Sequence, residues 1–490
     1  MIGRPTRVVV VGADAPLWLA ALTIHGALHK AGVTVEAVAL PSRVAPTEVI
    51  EARPAIEALH NRLGIREARL LAATKGAFML GRQLDGGPTD GSSGFVSYGA
   101  NGASIGQEAF FPHWLRAERA GSGVPLEAFN LVAAAARLGR RLVPDSEIAA
   151  FGRADYGYAL PAKAYARSLA VLARQDGLVS HQTEGLDAER GENGRLVALR
   201  LDDGRFITAD LFVDVSQEAV LSEGILRSPK EDWSAWSPTT RIARALTPPM
   251  PAPLAYGRVE AHRWGWLARI PTPAATHLLA AFSEDGEPAP DLRRMGFDPA
   301  SSEALVQFGR TAPWRSNCVA MGPAACRLDP IFGLDFHVLQ LGLIHFVSRF
   351  PTSADAACER DDYNGTLSAL MEHLRDFQIA HYRTQRYQGR FWDQARAGDV
   401  PPALAHRLAL FAARGLLGPL EHETIPADEW QSLLIGHGLR PTSHDPVADL
   451  NPPEAVNDAL RGMLDFIARK VSAFPTNAAL PAASHSSDRP

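Results

Sequence analysis

His25 and His29 stand four residues apart in a stretch with helical periodicity, a spacing at which two imidazoles on one helix face can bind zinc. No Glu follows His25 directly and no third ligand is evident, so a partly exposed helix face is expected and no metal site. Gly91-Ser92-Ser93-Gly94 lacks the glycine spacing and the strand–turn–helix setting of a nucleophile elbow. Cys318, Cys326 and Cys358 are odd in number and match no metal-ligand spacing, so buried thiols in a reducing compartment are expected. His60, His113 and His337 read as core or surface residues, and Asp329 before Pro330 as a turn former or a polar group near a site. The run with the clearest chemical potential is Gly12-Ala13-Asp14-Ala15-Pro16-Leu17, which follows a β-branched strand. Turns of that kind seat a dinucleotide's pyrophosphate on a helix N-terminus, and they need glycine wherever a side chain would fill the phosphate's space.

The elements around this run point to a doubly wound layer. Arg7 to Val11 reads as a buried parallel strand that ends at Gly12. Leu17, Ala20, Ala21, Ile24, Ala27 and Leu28 recur at helical spacing, with Pro16 in the first turn and Gly32 at the end. Val33 to Leu40 is the next strand, which completes a β-α-β start. Thr89 to Gly106, rich in Gly and Ser, reads as loop, and Leu160 to Gly177 as helix. Arg195 to Leu201 and Arg205 to Val213 read as strands joined at Asp203-Gly204, with a further turn at Asn193-Gly194. From Leu334 onward the pattern is mostly helical.

The chain of 490 residues is long enough for a large core, and its 46% apolar and 21% charged content is that of a soluble globular protein. A net charge of -5 with no basic run argues against a nucleic-acid surface. The N-terminus has no signal-peptide pattern and no apolar run reaches membrane-spanning length, so a cytoplasmic protein without membrane partners is expected.

Asn317-Cys-Val-Ala-Met-Gly-Pro-Ala-Ala-Cys-Arg-Leu-Asp-Pro-Ile-Phe-Gly-Leu-Asp-Phe-His337 resembles the signature segment of the flavin-dependent tryptophan halogenase family. Further collinear matches are Leu211-Phe212-Val213-Asp214 with Ser216, Gly265-Trp266 with Ile270-Pro271, Arg375-Asp376-Phe377, His381-Tyr382, Arg386, Phe391-Trp392, and Trp430 with Ile435-Gly436 and Gly438. The resemblance implies an α/β fold with α+β elements. Its parts would be an FAD-dependent monooxygenase-like β-α-β layer, an inserted strand meander and a mainly helical C-terminal substrate module. The expected division is 1–333, 334–476 and a disordered tail 477–490.

The resemblance also implies a site. The family uses reduced FAD and oxygen to oxidise halide, a lysine that holds the resulting hypohalous acid and a glutamate beside it. Here Met79 stands at the lysine position and Phe332 at the glutamate position, and neither side chain handles protons. Lys75, four residues before Met79, is the candidate substitute. The Ser-Thr after the family glutamate is Gly333-Leu334, and a family tryptophan is Ala268. Of the cofactor positions Gly12, Gly322 and Ala324 are kept, whereas Asp14 and Leu17 replace glycines. Asp14 would face a diphosphate as a like charge and is expected to cap the helix itself; Leu17 would crowd the helix–strand packing. The acid expected at the end of the second strand is absent, because Glu36 comes too early. FAD binding is therefore expected to be weak or absent and no catalytic residue intact. A member without halogenase activity is the leading expectation, holding an aromatic small molecule or a partner in the inherited cavity. The alternative is an active halogenase or monooxygenase acting on an indole- or tryptophan-like substrate. A flavin reductase or a homologous subunit is the expected partner protein.

Overall fold

The computed structural model of the chain describes all residues except 1–3, 87–92, 193, 285–288, 354, 384–385 and 478–490. Strand β1 (Arg7–Gly12) is buried from Val8 to Gly12 and leads into helix α1 (Asp14–Leu28). Leu17, Ala20, Ala21 and Ile24 of α1 pack on the sheet beneath, and β2 (Thr34–Ala39) pairs in parallel with β1. Strands Leu211–Asp214 and Cys318–Ala320 extend the sheet beyond β1, Val179–Gln182 extends it beyond β2, and Trp314–Arg315 forms an antiparallel edge. This is the expected parallel layer.

The expected strand Arg205–Val213 is two strands. Phe206–Thr208 stays in an antiparallel meander with Leu196–Leu201 and Leu186–Arg190, whereas Leu211–Asp214 enters the parallel sheet. Asp210 makes the break. Its carboxylate accepts the backbone N–H groups of Thr6 (2.7 Å) and Arg7 (2.9 Å), so the chain is re-aimed at the foot of β1. Asp203-Gly204 does form the hairpin turn, with Gly204 N–H donating to Leu201 O at 3.0 Å. The turn at Asn193-Gly194 lies partly outside the described residues, and so does the start of the expected loop Thr89–Gly106. Within that loop Ser93–Ser97 is a strand paired with Gly81–Asp85. Its glycine was the misleading signal: a Cβ on Gly94 would stand 3.3 Å from Gly436 Cα, so the residue serves backbone contact with the helix Ala427–Gly436.

Two further sheets position the site. Strand β3 (Val49–Ala52) and strand β4 (Ala77–Met79) flank Gly157–Pro161 in a small antiparallel sheet. Strand β5 (Gly81–Asp85) belongs to a seven-stranded sheet with Arg241–Thr247, Gly257–His262, Gly265–Pro271 and Thr276–Phe282. Helices Asp335–Ser348, Ala357–Tyr382, Arg390–Ala397, Pro402–Arg414, Ala427–Gly436 and Pro453–Ala473 make up the C-terminal part. The tail from 478 lies outside the described residues; Asn477 itself is tied down, its amide N–H₂ donating to Pro253 O at 2.8 Å.

Candidate functional site

A cavity of about 280 Å³ opens at the carboxyl ends of the parallel strands, where folds of this class place their ligands. Ala13 to Pro16 of the first turn form one side, Leu40 to Arg43 after β2 a second, and Thr47 to Glu51 a third. Ile270 and His277 to Leu279 of the large antiparallel sheet close it opposite the segment from Pro323 to Leu339.

The first turn keeps Gly12 and, at Asp14, a glycine-like backbone. A Cβ on Gly12 would lie 2.7 Å from Val215 Cγ2, so that position admits no side chain without movement. Asp14 sits at φ 55°, the left-handed region that costs a residue with a Cβ about 1–2 kcal/mol. Its expected capping role is not taken: α1 has no side-chain cap, and Asp14 Oδ1 instead accepts from Ser42 Oγ at 2.6 Å. The carboxylate is drawn to the chain after β2, on the wall of the cavity. Leu17 is fully buried and is not among the residues that line the cavity. Pro16 has no N–H, so one of the donors at the helix start is missing.

Gly322 (φ 54°) and Ala324 lie behind the wall, and Pro323 between them faces it. A Cβ on Gly322 would approach Leu339 Cβ to 2.9 Å, so this glycine serves the packing of the turn on helix Asp335–Ser348. Ala324 is buried and its carbonyl accepts from Arg310 Nε at 2.6 Å. Glu36 is engaged elsewhere, with Arg7 at 3.0 Å and His181 at 2.8 Å.

Met79 is 1% exposed and packs with Tyr98, Ala159 and Ile270. Lys75, the candidate substitute, is an exposed residue at the C-terminus of helix Glu67–Thr74, away from the cavity wall. Phe332 ends a short 3₁₀ turn and meets the rings of Phe377 (4.8 Å between centroids) and His381 (5.8 Å). Beyond them His381 Nδ1 and His437 Nε2 are 2.9 Å apart, and burial pushes the His437 imidazole down to about 3. Asp329 is buried and raised above the usual carboxylate range by that burial, with Tyr382 OH (2.7 Å) and Ser237 Oγ (3.1 Å) donating to it. Ala268 is fully buried.

His60 contacts Tyr165 OH at 2.7 Å and is pushed by burial to about 4; buried His337 is pushed to about 3. His113 is buried and lowered for the same first reason. All three are core residues. His25 and His29 stack at 4.8 Å, and among the described residues no group of three or more His, Cys, Asp or Glu gathers to hold a metal.

Sequence reading missed three charged residues at the site. Arg82 of β5 donates to Glu51 of β3 and to Ile331 O, with the two side chains only 6% and 8% exposed. Met79 Cε (3.3 Å), Glu51 Oε2 (3.6 Å) and Arg82 Nε (3.7 Å) converge on the point where a Cβ on Gly257 would stand. Asp335 lines the cavity beside Gly333. The signal for Glu51 and Arg82 was a charge inside a short strand-like run, because buried charges come in pairs.

The tryptophan halogenase family model matches residues 7–453. The fold is similar to that of BrvH, a flavin-dependent halogenase from Brevundimonas sp. BAL3, with TM-score 0.89, 28% identity, and coverage of 97% of this chain and 98% of that one. It is similar also to Xcc4156, a flavin-dependent halogenase from Xanthomonas campestris, with TM-score 0.89, 26% identity, and coverage of 98% and 97%. Tryptophan 7-halogenase KtzQ of Kutzneria sp. (strain 744) is 26% identical over 275 residues, 53% of this chain and 52% of that protein, so the match spans about half of that relative.

Proposed function

The chain belongs to the tryptophan halogenase family, and we propose that it binds FAD weakly in the cavity above α1 and does not halogenate. The observation that carries this reading is the contrast between an open cavity and apolar, packed reactive positions. In favour of a flavin stand the cavity's place at the strand ends, the glycine-like backbone at Asp14 and the apolar walls from Ile50, Ile270 and Leu279. The first N–H groups of α1 would meet the diphosphate, and Arg43 and Arg327 would lie on the wall as counter-charges. A bound flavin supplies electron transfer to oxygen. Weakness follows from Asp14: a carboxylate within about 4 Å of a phosphate is repelled by roughly 1–4 kcal/mol at a half-wet site.

Loss of halogenation follows from Met79 and Phe332, since a thioether donates no hydrogen bond and a benzene ring neither donates nor accepts a proton. A specific observation favours the second reading, an active halogenase or monooxygenase for an indole- or tryptophan-like compound. The Arg82–Glu51 ion pair keeps a cation and a carboxylate beside Met79. The proposal extends to a cytoplasmic location, consistent with no described helix being long and apolar enough to cross a membrane, and to a flavin reductase or homologous subunit as partner.

The test is an FAD titration of the purified protein, followed by an assay with a flavin reductase, halide and tryptophan or indole. Weak, saturable flavin binding without halogenated product is expected. A halogenated product formed over many turnovers would replace this reading with the second.

A further inference from the structure

The cavity wall carries five carboxylates (Asp14, Glu48, Glu51, Glu218 and Asp335) against three guanidinium groups (Arg43, Arg244 and Arg327). Much of this charge is already matched. Arg43 pairs with Glu218 at 2.6 Å, Arg82 pairs with Glu51, and Arg244 reaches outward to Glu303 at 3.1 Å. Asp14 accepts from Ser42, and Glu48 from the Ala45 N–H at 2.8 Å. Asp335 is different. It is half-buried at the start of helix Asp335–Ser348, and its Oδ1 accepts the Leu328 N–H at 3.1 Å. Among the described residues no cationic group comes within ion-pair distance of it.

The groups around Asp335 act in opposite directions. Burial disfavours its charge most; the Leu328 N–H, Arg327 and Arg244 oppose that, and Asp329 adds to it. Glu51, whose Oε1 would lie 3.0 Å from a Cβ on Gly333, and His277 complete the charged and titratable wall residues at this end, with the Cys326 thiol behind. The balance pushes the Asp335 carboxyl up to about 6.

We infer that Asp335 is a specificity-determining residue of this cavity, which meets an anionic flavin-type dinucleotide as a neutral acid donating a hydrogen bond and repels it as a carboxylate. The inference rests on the flavin-binding reading above. Apparent affinity then scales with the fraction of molecules carrying the proton. That fraction falls from about three quarters at pH 5.5 to a few per cent at pH 7.5, so FAD binds roughly twenty-fold more tightly at the lower pH.

The experiment is calorimetric titration with FAD from pH 5.5 to 8.5 on the full chain, on Asp335→Asn and on Asp335→Glu. Wild type is expected to lose about twenty-fold in affinity over the first two units. Asp335→Asn, permanently neutral and able to donate, is expected to bind at pH 7.5 as wild type does at pH 5.5. Asp335→Glu, which keeps a carboxyl, is expected to keep a slope. A wild-type affinity independent of pH, or an Asp335→Asn profile as steep as wild type, overturns the inference and leaves flavin binding standing. If neither wild type nor Asp335→Asn binds FAD at any pH, the flavin reading falls and this inference with it.

Discussion

Asp14 carries two costs at once, a left-handed backbone with a Cβ and a carboxylate on the wall where a diphosphate would lie. Asp14→Gly removes both. The backbone gain of about 1–2 kcal/mol is offset by loss of the Ser42 hydrogen bond, worth roughly 1 kcal/mol, and by glycine's greater freedom when unfolded. Asp14→Gly should therefore change the melting temperature little while tightening FAD binding about tenfold or more, as read by fluorescence titration. Met79 sets the opposite limit. At 1% exposure, a lysine there must be desolvated beside an Arg82 guanidinium and a Glu51 carboxylate that already neutralise each other. Met79→Lys is expected to lower stability by about 3 kcal/mol or more in urea unfolding and to bring no halogenation by itself, since Phe332 still offers no base.

Among elements, the turn from Met321 to Ala325 and helix Asp335–Ser348 set the far wall of the cavity. Gly322 fixes their distance, because its φ of 54° and the nearby Leu339 Cβ both exclude a side chain. Gly322→Ala should cost roughly 2–4 kcal/mol in denaturant unfolding and lower FAD affinity as the helix is displaced. The strand–helix–strand start was legible because burial on both faces writes a continuous β-branched run and the helix writes its own period. The strand Ser93–Ser97 was not, since its glycine answers to a helix 342 residues away, Gly94 against Gly436, and local pattern carries no trace of that contact.

Across the whole molecule, the helices after residue 334 are tied into the earlier part of the chain by buried and half-buried polar groups. Arg53 pairs with Glu429 at 2.6 Å, Asn101 N–H donates to Asp428 at 2.9 Å, and Trp266 Nε1 donates to Tyr382 OH at 2.9 Å. Asp335, Phe336 and Leu339 also complete the cavity wall. Residues 334–476 produced alone are expected to remain largely unfolded by circular dichroism, because Glu429, Tyr382 and the apolar helix faces would lose the partners that bury them.

The order of residues alone determined the family and the parallel layer, because descent and strand periodicity are written locally in the chain. Only the tertiary structure decided that the cavity stays open, that Lys75 faces solvent, and that Glu51 and Asp335 stand on the cavity wall with Arg82 paired to Glu51. Burial and charge pairing are properties of segments brought together from distant parts of the chain, and no spacing within one segment encodes them.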